Sequence, residues 1–153
     1  MKSGYKQTRL EDSVLHLLHR SGQQAEVLFM RQNQTDNMTP RQYAVLITVD
    51  ANEDISQTGL VTATGIDRST LADVVRRLTT RGWLARKRTK HDARMYAVRL
   101  TPKGKAALDG ARPAAKKADD IVLATLPVRQ RQEFLEALAQ VVNAMDIQMA
   151  EAA

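Results

Sequence analysis

Apolar positions recur at helical spacing along most of this chain, and one stretch changes period. From Arg9 to about Gln32, the residues Leu10, Val14, Leu17, Leu18, Ser21, Ala25 and Leu28 form the main stripe of a long helix. Gly22 weakens it by roughly 1 kcal/mol against alanine. The run from Asn33 to Asn37 breaks the pattern and is read as a loop. Thr39-Pro40 restarts a helix, with Thr39 as N-cap, Pro40 at the first helical position and Gln42 placed to close a capping box. That helix is expected to reach about Val49, and Asp50 to Asp54 to form an acidic loop.

Ile55 to Leu100 then predicts helix, tight turn, helix and β-hairpin. Ser56 can cap a short helix whose packing side is Leu60, Val61 and Ala63. Thr64-Gly65-Ile66 supplies a turn containing glycine, with Gly65 expected at positive φ and Ile66 filling the angle between the two helices. Asp67 is the N-cap of the next helix and Gly82 its left-handed terminator. Leu71, Val74, Val75 and Leu78 fall at i, i+3, i+4 and i+7 and define its buried stripe. Beyond Gly82 the period becomes two, over Trp83 to Arg88 and Met95 to Leu100, around a polar loop from Thr89 to Ala93. After Leu100, Thr101-Pro102 repeats the capping device and opens a helix running towards Leu126. Pro113 inside it should bend or interrupt it. Pro127 starts a last helix, with a wide stripe of Phe134, Leu138, Val141 and Met145, and Leu135, Val142 and Met149 beside it. The expected fold is therefore mainly α with a small β wing: a winged helix-turn-helix flanked by helices from both chain ends. The expected division is 1–33, an N-terminal arm and dimerisation helix; 38–100, the winged domain; and 101–153, C-terminal dimerisation helices.

The chemistry of the central stretch points to DNA. The face of the second helix opposite its buried stripe carries Arg68, Ser69, Ala72, Asp73, Arg76 and Arg77, with Thr70 in its first turn. Small polar residues near the N-terminus allow close approach to a major groove, and arginines further along reach bases or phosphates. The hairpin concentrates Arg86, Lys87, Arg88, Lys90, His91 and Arg94, six cationic groups when His91 is protonated. Such a ribbon can follow phosphates or enter a narrow minor groove.

Three pieces, in this order and spacing, resemble the MarR family of winged-helix transcriptional regulators: Thr39 to Leu46; Gly82-Trp83-Leu84 with Arg86 and then Asp92-x-Arg94; and Leu100-Thr101-Pro102-Lys103-Gly104. The resemblance runs from about Leu10 to about Met149. It implies that Arg94 is the wing-tip residue of the minor groove and that Asp92 holds the wing by pairing with an arginine such as Arg86. Trp83 is expected to pack under the wing. The resemblance further implies an anionic aromatic effector held between the dimerisation helices and the winged domain. His16, His19 and Arg20 of the first helix, Met38 of the loop, and Tyr43 and Ile47 of the second helix are the residues available for it. Arg20 would pair a carboxylate, the histidines and Tyr43 would bond a phenol or carbonyl, and the aliphatic residues would pack a ring. A CoA thioester of such an acid is the larger version of the same ligand.

Composition narrows the picture. The chain has 153 residues, the size of one domain or a domain with an appendage, and no cysteine, which excludes disulfides, thiol redox switches and thiolate zinc sites. No apolar run reaches membrane-spanning length and no secretory signal is evident, so the expected location is the cytoplasm. The net charge of +6 is uneven: Leu60 to Lys105 holds 12 lysines and arginines against 3 acids, a local +9, which leaves −3 for the rest. That asymmetry suits a polyanion better than a uniformly basic surface would. No H-E-x-x-H spacing, phosphate loop or nucleophile constellation is present, so no catalysis and no cofactor are expected. His16 and His19, three apart on one helix, would need a third ligand from elsewhere to hold a metal, and no metal site is assigned.

The wide apolar stripes at both ends exceed what one small winged domain can use. They predict a homodimer, whose twofold axis sets two recognition helices about one DNA turn apart on a pseudo-palindromic operator. The competing arrangement is a helical cap folded back on its own domain. The functional expectation is a dimeric, ligand-responsive repressor. An architectural DNA-binding protein with little sequence preference and a winged-helix interaction module that does not touch DNA are the other readings.

Overall fold

In the computed structural model, residues 9–33, 36–88 and 96–151 are described. The order is α1 (Val14–Gln32), α2 (Pro40–Ala51), β1 (Ile55–Ser56), α3 (Gln57–Thr64), α4 (Arg68–Thr80), β2 (Leu84–Arg88), β3 (Tyr96–Leu100), α5 (Pro102–Ala124) and α6 (Val128–Glu151). A 3₁₀ turn, Leu10–Asp12, precedes α1, which begins later than its apolar pattern does. Ser13 stops the continuation, because its hydroxyl accepts from the His16 N–H and caps the helix there.

The helix starts follow the caps in the sequence. Thr39 and Gln42 close a reciprocal capping box, Ser56 accepts from Gly59 N–H, Asp67 from Thr70 N–H and Thr101 from Gly104 N–H. The α4 terminus is a complete Schellman motif. Gly82, at φ 74°, donates to the Thr79 carbonyl, and the Trp83 N–H donates back to Leu78. Gly65, at φ 67°, terminates α3 in the same left-handed region.

The sheet is antiparallel in the order β1-β3-β2, with Ile55 opposite Val98 and Arg86 also opposite Val98 from the other side. β1 has two residues, too few to show an alternation, and it was not expected. The acidic loop is also shorter than expected, because Asp50 and Ala51 complete α2. One core joins these elements: Met38, Val45, Leu46, Val49, Leu60, Leu71, Val74, Val75, Leu78, Trp83, Leu84, Val98, Leu108 and Ala111. Ala63, assigned to the packing side of α3, is exposed; Val61 and Ile66 pack against the core instead.

α5 runs from Pro102 to Ala124 without interruption at Pro113. A proline removes one intrahelical hydrogen bond. Its neighbours remain held by packing, since Leu108 and Ala111 are in the core and Ala118 is buried. α5 also packs along α1 and α2. No described helix is long and apolar enough to cross a membrane.

Candidate nucleic-acid interface

The wing root is bolted to the start of α5. Trp83 is buried, its carbonyl accepts from Thr101 N–H at 3.0 Å, and the Thr101 hydroxyl donates to the Gly82 carbonyl at 2.6 Å. Gly104 faces this joint. A Cβ there would lie 2.0 Å from the Trp83 carbonyl oxygen, so only glycine lets α5 approach so closely. The Arg81 guanidinium stacks over the Trp83 ring at 3.8 Å and donates to the Asp36 carbonyl. β3 is tied to the turn before β1 by Arg99, which donates to both oxygens of Asp54. α5 is tied to α2 through Asp50, which accepts from Lys105 at 2.9 Å and Arg112 at 2.6 Å. Lys105 first, and Arg112 with it, hold the Asp50 carboxyl below the usual carboxylate range.

This frame leaves one face of α4 outward. Leu71, Val74, Val75 and Leu78 are buried, while Arg68, Ser69, Arg76 and Arg77 are exposed and Thr70 and Asp73 half-buried. Hydrogen bonds from Thr70 and then Ser69 hold the Asp67 carboxyl far below its ordinary range, which fixes the cap as an anion. Arg86, Lys87 and Arg88 continue the cationic surface along β2, all exposed. Asp73 does not face outward alone: one of its oxygens accepts from Arg76 and the other from Arg77 Nε at 2.6 Å. Arg76 is the main cause of its lowered pKa. Lys90, His91, Asp92 and Arg94 lie outside the described residues, and the Asp92–Arg86 pairing with them.

A hollow of about 440 Å³ separates the outer side of α4 from the start of α2; Thr70, Asp73 and Arg77 line one wall and Thr39, Arg41 and Glu26 the others. Arg41 was absent from the sequence-based set of candidates. Its position in the first turn of α2 was legible, but its meeting with α4 depends on the tertiary fold. Arg81 was missed for the same reason.

The six effector candidates differ in their exposure within a single chain. Met38 is wholly buried in the core, and Tyr43 and Ile47 are half-buried against it. His16 is half-buried on α1, and His19 and Arg20 are exposed. None of these six lines any of the four hollows traced among the described residues. The Tyr43 ring lies 5.4 Å from that of Phe29, and burial raises its phenol pKa, so it remains a hydrogen-bond donor. Among the described residues, His16 and His19 belong to no cluster of three or more potential metal ligands. Asp120 pairs with Lys116 at 2.7 Å, and Arg131 donates to the Leu126 carbonyl.

A helix-turn-helix with an exposed cationic second helix, a basic β-ribbon and long flanking helices is thus established. The sequence profile of the MarR family matches residues 36–95, from the turn before α2 to the residue before β3. Residues 36–95 are a MarR-family segment. It is 27% identical over 132 residues to the HTH-type transcriptional repressor NicR of Pseudomonas putida, covering 86% of this chain and 84% of NicR. Its fold superposes on that of BpsR from Bordetella bronchiseptica, a protein whose DNA binding is regulated by 6-hydroxynicotinic acid, with a TM-score of 0.84 at 27% identity over 90% of this chain and 98% of BpsR. It likewise matches the transcriptional repressor CouR of Rhodococcus jostii bound to a 23-mer DNA duplex, with a TM-score of 0.81 at 29% identity over 92% of this chain and 99% of CouR. This MarR-type chain is a transcriptional regulator with a winged-helix fold.

Proposed function

We propose that this regulator is a homodimeric repressor of a pseudo-palindromic operator and is released by a small anionic aromatic effector. The observation that carries the proposal is the outward face of α4, where Arg68, Ser69, Thr70, Asp73, Arg76 and Arg77 stand together beside the basic strand β2. Small residues at the N-terminal end let the helix enter a major groove. Arg76 and Arg77 reach guanine edges or phosphates, and Arg86, Arg88, Lys90, His91 and Arg94 follow the backbone into the minor groove. The DNA duplex bound to CouR supports the partner.

The helical ends support the dimer. α6 buries none of its side chains within the chain, and Phe134, Leu138, Val141, Met145 and Met149 are exposed along it. Leu10, Val14, Leu15, Leu17 and Leu18 are exposed near the other end. The exposure of α6 favours a partner over a cap folded back on its own domain. So much apolar surface on one side of a monomer calls for a partner, and a second copy joins the two ends into one helical base. Replacing Leu138 with Asp should shift the protein to monomer in sedimentation equilibrium and abolish tight operator binding together; a monomeric wild type would overturn the assignment.

The effector reading rests on the α1–α2 side of the winged domain, where His16, His19 and Arg20 supply polar and cationic groups and Met38, Tyr43 and Ile47 supply apolar ones. The 6-hydroxynicotinic acid of BpsR supports the ligand class. A ligand between base and winged domain favours a lobe spacing in which the two copies of α4 no longer match successive grooves. A coupling of about 2–3 kcal/mol gives a switch of tens- to a hundredfold. Titration of the protein–operator complex with phenolic and pyridine carboxylic acids tests it: one acid should release the DNA, and Arg20→Ala should raise the concentration needed. Release by no acid or acid thioester would remove the effector.

A further inference from the structure

Asp73 is out of place by charge. On a face built to meet a polyanion, a carboxylate repels phosphate, yet it sits in the middle of α4 among the arginines. Its geometry shows what it does. Arg76 follows at i+3 and Arg77 at i+4, with the acid N-terminal to both bases, the favourable order on a helix. Each carboxylate oxygen takes one guanidinium: Oδ1 accepts from Arg76 Nη2 and Oδ2 from Arg77 Nε, the latter at 2.6 Å. Both arginines remain about two-thirds exposed, at 66% and 64%, so they are held at the surface and not buried. Each guanidinium has five N–H donors and gives only one nitrogen to Asp73, which leaves donors free for a base edge.

We propose that Asp73 sets the sequence discrimination of this regulator by withholding Arg76 and Arg77 from DNA of the wrong sequence. The inference rests on the DNA-reading role of α4 and deepens it. On a matched site, the two arginines bond base edges while Asp73 keeps them oriented, so the carboxylate stays paired. On unmatched DNA the base-edge acceptors do not coincide with the held guanidiniums, and the nearest alternative acceptors are phosphates. To follow them, Arg76 and Arg77 must leave Asp73, whose carboxylate is then unpaired beside the DNA. Wrong partners are thereby penalised more than right ones, and discrimination comes from a repulsive group as much as from attractive ones.

The test uses the full chain and two duplexes, an operator selected from random DNA by the wild type and a scrambled version of it. Dissociation constants are measured over a salt series for wild type, Asp73→Asn and Asp73→Glu. Asp73→Asn should bind the scrambled duplex about tenfold more tightly, with a log–log salt slope steeper by about one, as an additional arginine reaches phosphate. Its affinity for the operator should rise by clearly less than its affinity for the scrambled duplex, so the specificity ratio falls. Asp73→Glu, which keeps the carboxylate, should retain most of the discrimination. Equal changes on both duplexes, or an unchanged ratio, would overturn the inference. A wild type that does not prefer its selected operator would instead count against the DNA-reading assignment, and that is seen before any variant is measured.

Discussion

Single residues carry the joints of this molecule, and two can be tested in isolation. Gly104 is the place where α5 meets the backbone of Trp83, and the added methyl of Gly104→Ala would meet main-chain atoms that have no room to give. That change should lower stability by about 1–3 kcal/mol, the usual range for overpacking, in a urea titration; an unchanged midpoint would show that the joint is looser than its geometry. Asp67, Asp73 and Asp50 share a second property: all three carboxyl pKa values are depressed in the folded chain, Asp67 by hydrogen bonds and Asp73 and Asp50 by neighbouring cations as well. A depressed folded pKa contributes stability above the unfolded value and loses it as pH falls towards the folded one. Stability should therefore be level above pH about 5 and decline from about pH 4 downward. Asp67→Ala should show a shallower decline, and an identical acid limb would mean that Asp67 contributes nothing through its charge.

At the scale of elements, what could be read from the chain and what could not divide along a physical line. Caps are local, so Thr39, Ser56, Asp67 and Thr101 marked four helix starts, and Gly65 and Gly82 marked two ends, without tertiary information. Burial of Leu71, Val74, Val75 and Leu78 followed from period alone. Features that need a distant partner were not legible. β1 is two residues long and exists because β3 offers it a ladder. Arg41 reaches the side of α4 only through folding, and the contact between Gly104 and Trp83 joins residues 21 positions apart. The outward face of α4 was legible in composition, but the sharing of Asp73 between two arginines was not. Pro113 separates propensity from context. It lies exposed within an unbroken α5, so Pro113→Ala restores an N–H and should stabilise the chain by as much as about 3 kcal/mol. A lower melting temperature for that variant would mean that α5 requires the proline's geometry.

For the whole molecule, charge and apolar surface are segregated. The cationic groups gather on α4 and the wing strands, whereas exposed leucines, valines and methionines gather at the two chain ends. On the proposed reading the first arrangement meets a polyanion and the second another copy, and a twofold axis would make them one device. Truncation before α6 should therefore weaken operator binding far more than it weakens non-specific binding, because it removes the pairing of half-sites and leaves α4 intact; equal loss on both DNAs, measured by fluorescence anisotropy, would argue that α6 supports the winged domain itself. The central claim is that α4 and the wing read a specific operator. It is tested most directly by a mobility-shift titration on the DNA upstream of the protein's own gene, with scrambled competitor and a panel of aromatic acids and their thioesters. The account predicts a shift that resists the competitor and is released by one compound, whereas a complex lost equally to scrambled DNA, or no complex at all, would contradict it.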